Sequence, residues 1–242
     1  MEFGRIRRAV AALGVMAMLG ACATTEAVDG VYDPYSGFNR SMHDFNKDVD
    51  SGVVRPVSVG YGEVTPGLVR LLVVNALNHL ELPRDFANNM FMGRWEPAGH
   101  TLARFAVNTL VGAGGLLDPA TDVELYKQDA DFGMTLAHYG AGEGAYWELP
   151  LIGPGTTRSL WGRFVDLAFS PTTYIAAPAG VIAGASTTAL GVVEARETNL
   201  NAIDSVLYES ADSYSSARSL FLQNRRAAVR GEGEEVEIDI DG

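Results

Sequence analysis

The chain reads as an all-α protein, a single mostly helical domain with short glycine-rich loops. Three observations predict this. Apolar residues recur at spacings of three and four over several stretches, the period of a helix with one apolar stripe. No series of segments alternates apolar and polar residues as strands do. Glycine and proline break up the intervening chain, most densely over residues 116–158, and there is no internal repeat.

The first helix is expected over Gly37 to Val54, where Phe38, Met42, Phe45 and Val49 form a stripe. Arg55-Pro56 is expected to end it, because proline disfavours helix at the residue before it. Gly67 to Leu80 is the second, with Leu68, Leu71, Leu72, Ala76 and Leu80 clustering. Pro83 opens a third run to Met92, since proline is tolerated in a first turn. Pro97 opens a fourth through Leu102, Phe105, Ala106 and Leu110, which Gly112-Ala113-Gly114-Gly115 stops. Between 116 and 158 helices should not exceed two or three turns. Leu160 to Phe169 is a further candidate. Arg196 to Val229 reads as one long, mostly polar helix with Leu200, Ile203, Leu207, Tyr214, Leu220 and Phe221 on its apolar face.

The first residues have the layout of a secretory signal peptide. Arg5, Arg7 and Arg8 precede an uncharged, mostly apolar stretch from Ala9 to Gly20. That stretch is shorter than the roughly 20 apolar residues a transmembrane helix needs. No Ser-Arg-Arg-x-Phe context supports a twin-arginine route. Leu19-Gly20-Ala21-Cys22 looks like a lipobox, in which the cysteine thiol receives lipid, and Cys22 is the single cysteine of the chain. The expectation is a signal peptide over 1–21, a lipidated tether over 22–32, a helical domain over 33–229 and an acidic tail over 230–242. Several acyl chains give the stable anchoring that one does not. By resemblance to known lipoproteins, Ala23 after the cysteine favours onward transport to an outer membrane.

Removing residues 1–21 of the 242 leaves 221, enough for one sizeable domain. The removed part carries Glu2 against three arginines, so the formal charge moves from −12 to −14. Such a chain is a poor partner for nucleic acid, whose phosphates demand a positive surface. The tail alone holds Glu232, Glu234, Glu235, Glu237, Asp239 and Asp241, and reads as solvated and disordered.

Asp166 and Glu194 bracket 27 residues without a charge. The length could cross a bilayer, but Ser170, Thr172, Thr173, Ser186, Thr187 and Thr188, with Pro171, Pro178, Gly180, Gly184 and Gly191, do not make a plain span. Two readings stay open here. The run lines a polar path, or it is a buried helical hairpin.

Motifs of catalysis are missing. Gly112-Ala113-Gly114-Gly115-Leu116-Leu117 lacks the last glycine of a dinucleotide loop, and no phosphate-binding P-loop occurs. Gly184-Ala185-Ser186-Thr187-Thr188 lacks the closing glycine of a nucleophile elbow. His43, His79, His100 and His138 are scattered without metal-ligand spacing and are expected as surface or capping residues. Asp44 and Asp48 are expected as solvated charges. The expectation is therefore no enzyme, no metal and no cofactor.

One set of motifs is specific. Asp33-Pro34-Tyr35-Ser36-Gly37-Phe38-Asn39-Arg40, shortly after Cys22, resembles the D-P-Y-x-G-F-N-R opening of the MlaA/VacJ family of outer-membrane lipoproteins. Arg55-Pro56-Val57 follows, and then Arg104-Phe105-x-x-Asn108-Thr109 leading into Gly112-x-Gly114-Gly115-Leu116-x-Asp118-x-Ala120. Next come Phe132-Gly133-x-Thr135-Leu136-x-x-Tyr139-Gly140, Gly144-x-Tyr146-x-x-Leu149-Pro150, Gly153-Pro154 and Arg158. Ser159 departs from the family's usual aspartate. Read on their own, Asp33-Pro34 presets an extended turn. Asn39 and Arg40 beside Phe38 suit a membrane–water boundary, and Asn108 and Asp118 flank conformationally free glycines. Most of these residues are expected to make turns and caps.

The resemblance implies a ring-like helical protein embedded in the inner leaflet of the outer membrane and lipid-anchored on the periplasmic side. Its channel would let misplaced phospholipids leave the outer leaflet for a soluble periplasmic carrier, with the protein held in a porin trimer. The run 167–193 is expected to line the path through Phe169, Thr173, Tyr174, Ile175 and Thr187, with Phe169, Tyr174 and Ile175 on the tail side. The alternative is a lipoprotein that scaffolds porins or envelope without lipid transfer. A lipid-acting hydrolase ranks third.

Overall fold

The computed structural model describes residues 31–174 and 179–231. The signal peptide, Cys22, most of the tether, Ile175 and all but the first two residues of the acidic tail lie outside the described residues.

Helix α1 is Ser36–Val49, a turn of π-helix follows over Asp50–Val54, and α2 is Arg55–Val64. Arg55-Pro56 therefore does not end the helix. The Arg55 N–H bonds the Asp50 carbonyl, five residues back. The helical ladder has thus slipped by one residue, and Pro56 falls in the first turn of α2, where its missing N–H is tolerated.

Helix α3, Gly67–Phe91, runs 25 residues straight through Pro83, so the two helices expected there are one. An interior proline removes the bond to the carbonyl four residues back and costs about 3 kcal/mol. Packing overrides it, because Leu82, Asp85, Asn88 and Asn89 around that turn are all fully enclosed and α3 lies along α4, Trp95–Leu110.

Residues 116–158 break into short pieces as expected, with α5 at Pro119–Asp122 and α6 at Phe132–His138. They also hold a β-hairpin that was not expected. Strand β1, Tyr146–Leu149, pairs antiparallel with β2, Gly153–Thr156, from Tyr146 opposite Thr156 to Leu149 opposite Gly153. Gly153-Pro154-Gly155 conceals β2 from any test of alternation. Helix α7, Thr157–Asp166, leads into 3₁₀ turns at Leu167–Phe169 and Pro171–Tyr174.

Helix α8 is Ala179–Thr198, α9 is Leu200–Asp204, a second π turn spans Ser205–Glu209, and α10 is Ser213–Arg230. The single helix expected over 196–229 is thus interrupted. Ser210 is extended, and the Asp212 carboxylate starts α10 afresh by accepting from the Ser215 N–H at 3.1 Å.

Burial runs against the pattern of a water-soluble helical domain. Asn39, Ser58, Asp85, Asn88, Asn89 and Thr101 are 0% exposed. Leu68 is 67% exposed and Leu110 83%, and Leu71, Trp95, Phe164, Val181 and Ile182 are likewise open. Among the described residues the buried apolar clusters are small, one around Met92, Ala130 and Met134 and another around Tyr146, Tyr214 and Leu222. An exterior this apolar is unfavourable in water but matches hydrocarbon, where polar groups must be satisfied inside the protein. No helix of the described residues is long and apolar enough to cross a membrane.

Candidate functional site

The Asp33–Arg40 segment ties three parts of the chain together. The Asn39 side chain donates to Asp33 Oδ1 at 2.8 Å and to the Tyr146 carbonyl at 3.1 Å, and accepts from the Glu148 N–H at 2.9 Å. It is therefore a buried hub on the hairpin and not a boundary group. Asp33 accepts from the Tyr214 hydroxyl and pairs with Arg218 on α10 at 2.6 Å. Tyr35 stacks on Trp147 with centroids 4.3 Å apart. Arg40 is exposed, pairs with Asp212 at 3.0 Å and lies over the Tyr214 ring. Phe38 is exposed, and a side chain at Gly37 would meet open space.

A second knot surrounds the glycine elbow. Arg104 donates to Asp118 at 2.6 Å, and Asn108 donates to Asp118 at 2.8 Å while accepting from the Ala120 N–H. Burial pushes Asp118 up, but hydrogen bonds from Thr121 and Asn108 and the charge of Arg104 hold it below the usual carboxylate range. Gly115 has φ 91°, and a Cβ there would stand 2.3 Å from the His79 ring. Gly112 and Gly114 complete the turn, with Gly114 at φ 73°. Gly133 and Gly162 let α6 and α7 touch, since a Cβ on Gly162 would lie 2.4 Å from the Gly133 nitrogen. Tyr139 donates to the Phe91 carbonyl at 2.6 Å, Gly140 turns the chain at φ 86°, and Pro150 sits in the hairpin turn. Ser159, where the resemblance led to an expectation of aspartate, forms a reciprocal capping box with Thr156.

Two of the histidines expected at the surface are buried. His79 stacks on Phe105 at 4.8 Å, and burial, then Arg104, lowers its pKa. His43 Nε2 is 3.0 Å from the Ser213 hydroxyl, a nucleophile–base pair that sequence reasoning missed. Glu148 stands 3.8 Å from His43 Nδ1, beyond hydrogen-bond reach, and is engaged by the Tyr146 hydroxyl at 2.6 Å. The acid that would orient the base is thus held elsewhere. Glu81, Asp85 and Asp129 could together surround a metal ion. Lys127 already lies 2.6 Å from Glu81 and 2.7 Å from Asp129, and Arg84 lies 2.8 Å from Asp85.

Helices α3, α7, α8 and α10, with the 3₁₀ segment, line a half-open cavity of about 670 Å3. Leu77, Leu80, Val192, Ala195 and Phe221 supply apolar wall, and Ser170, Thr172, Thr187 and Thr188 supply hydroxyls. Thr187 donates to the Ala183 and Gly184 carbonyls at 3.0 Å and Thr188 to that of Gly184 at 2.9 Å, which leaves oxygen lone pairs free to accept. Arg84, Arg163 and Arg225 face Asp131 and Asp166 in the remaining wall. Burial raises Asp166, against the hydrogen bonds it accepts from Asn88 and the Phe132 N–H.

Of the residues expected to line a path, Thr187 is in this wall. Phe169 packs edge-on to Phe91, Thr173 donates to the Leu167 carbonyl at 2.6 Å, and Tyr174 donates to the Ala168 carbonyl from an exposed position, all three outside the lining. The arginines were missed because they come from helices far apart in the chain, and no local pattern links them.

Fold and cavity together define a helical protein with large apolar side chains exposed, polar side chains buried and a half-open pocket of mixed chemistry. The family model described as MlaA lipoprotein matches residues 31–228, and the chain belongs to that family. It is 31% identical over 233 residues to the intermembrane phospholipid transport system lipoprotein MlaA of Shigella flexneri, covering 94% of this chain and 90% of the relative. The same-named protein of Haemophilus influenzae is 31% identical over 227 residues, 90% and 88% of the two chains. A Rickettsia bellii protein without assigned function is 33% identical over 201 residues, 83% and 78%. A solved structure from work on the maintenance of bacterial outer membrane lipid asymmetry superposes with a TM-score of 0.73 at 32% identity, covering 81% of this chain and 98% of that one.

Proposed function

We propose that this chain is a lipoprotein, anchored through Cys22 on the periplasmic side of the outer membrane, that removes misplaced phospholipids from the outer leaflet. A soluble periplasmic carrier takes them onward, and a porin trimer seats the protein as a ring in the inner leaflet. The observation that carries this reading is the combination of exposed apolar side chains with a half-open cavity offering both apolar wall and polar or charged groups. A phospholipid head loses solvation in hydrocarbon and needs a polar route, while its tails need apolar surface. The names of the relatives from Shigella flexneri and Haemophilus influenzae support the same role. A porin scaffold would have no use for such a cavity. Passage needs no nucleotide site in this chain, in keeping with a passive conduit.

The test is to delete the gene and measure phospholipid exposed in the outer leaflet, complementing with wild type and with Cys22→Ala. Raised surface phospholipid, rescued by wild type but not by the variant, is the expected result. Unchanged surface phospholipid, in a strain without a redundant pathway, would leave the scaffold reading in place.

A further inference from the structure

The ionic wall of the cavity is unevenly paired. Asp131 is taken by Arg225, with contacts of 2.5 and 2.6 Å. Glu81 is shared by Lys127 at 2.6 Å and Arg84 at 3.5 Å. Asp166 accepts from Asn88 at 2.8 Å and from the Phe132 N–H at 3.1 Å, so both its oxygens are turned to buried donors. Arg163 is different. Its one hydrogen bond among the described residues goes to the Pro154 carbonyl at 3.3 Å, and no described carboxylate lies within ion-pair distance. Arg163 is exposed and belongs to the cavity lining. Arg225 lines the same cavity, and its Nε–H is buried without a partner.

A guanidinium open to solvent and without a carboxylate partner among the described residues, in a wall shared with apolar side chains, is free to receive an anion. The planar fork of arginine suits phosphate oxygens, which accept two parallel bonds. Leu77, Leu80 and Phe221 offer adjoining apolar contact. At about 670 Å3 the cavity lies within the range of sites for molecules of modest size, roughly 300–1,000 Å3.

We infer that Arg163 is an anion site that takes the phosphate of a lipid headgroup while the chains lie on the leucine and phenylalanine wall. This deepens the phospholipid reading above and rests on it. Arg163 is the discriminating group because it has no acidic partner to strand, so neutralising it should leave the fold intact.

The experiment uses the full lipoprotein in a nonionic detergent, with dioctanoyl-phosphatidylglycerol and dioctanoylglycerol as probes and native mass spectrometry as the readout. Arg163→Gln should bind the phosphatidylglycerol about tenfold more weakly than wild type, the loss expected for one charge-assisted contact. Binding of the phosphate-free dioctanoylglycerol and the melting temperature should not change. Arg163→Lys, which keeps the charge but not the fork, should lose about threefold. Inorganic phosphate should compete only weakly, since it lacks chains. If it displaces the lipid fully, the site serves free phosphate and the headgroup assignment is wrong. Equal phosphatidylglycerol affinity in wild type and Arg163→Gln, or a loss shared by both lipids, would overturn the site while leaving the transport reading standing. Wild type binding neither lipid would overturn both.

Discussion

Asn39 holds three hydrogen bonds at zero exposure, two of them to the backbone of β1. Truncating it leaves the Tyr146 carbonyl and the Glu148 N–H without partners, at about 1–3 kcal/mol each. Asn39→Ala should therefore lower unfolding free energy by about 2–6 kcal/mol, measured by urea titration in detergent. Gly115 is constrained twice, by its positive φ and by the His79 ring where a Cβ would go. Gly115→Ala should lower the thermal midpoint by several degrees, and a variant with an unchanged midpoint would mean that His79 moves freely. Hydrogen bonds from Arg55, and then Arg196, hold Asp204 at about 2. Its folded pKa lies below the unfolded value of about 3.9, so its contribution is complete above pH 4 and is lost as pH falls toward 2. Asp204→Asn should flatten the fall in thermal midpoint over that window relative to wild type.

At the scale of elements, the two π turns meet at one ion cluster. Asp50 opens the first, and Asp204 and Tyr208 flank and occupy the second. Arg196, near the end of α8, bridges them with bonds of 2.9 and 3.0 Å to Asp50 and 2.5 Å to Asp204, and the Tyr208 hydroxyl donates to Asp50 at 2.7 Å. Arg196 is buried, so its removal strands Asp50 in an enclosed site. Arg196→Ala should lower stability by about 3 kcal/mol, most of it from the uncompensated carboxylate. Hydrogen exchange in α8 and α9 should rise more than in α4, which has no part in the cluster.

At the scale of the whole molecule, the apolar exterior makes a claim separate from the acyl anchor. The exposed leucines and valines of α2 to α4 should hold the protein to a bilayer without lipidation. The mature chain carrying Cys22→Ala, mixed with neutral phosphatidylcholine vesicles, should float with them in a density gradient. Adding Leu68→Asp and Leu71→Asp should abolish flotation while leaving the circular dichroism spectrum unchanged. Sedimentation of the singly changed chain away from vesicles would place the apolar face against another protein.

Much was legible in the sequence because it is local. Helical period, the elbow at 112–115 and the fragmentation of 116–158 follow from residues within a few positions of one another, and the ordered family motifs carried the fold. Three boundaries were not local. Helix α3 passes Pro83 because a buried face outweighs one lost hydrogen bond, Arg55-Pro56 is absorbed by a π turn, and the 196–229 helix stops where Asp212 caps a new one. The hairpin was hidden by glycines and a proline that pair only through backbone groups. The candidate site was partly legible, as Thr187 lies in the cavity wall, whereas Arg84, Arg163 and Arg225 come from three separate helices. By itself the sequence determined the helical class, the expected lipid anchor and the family. Only the tertiary structure decided which polar residues turn inward and which apolar ones outward, and which arginine of the cavity wall has no carboxylate partner among the described residues, because burial and pairing depend on side chains far apart along the chain.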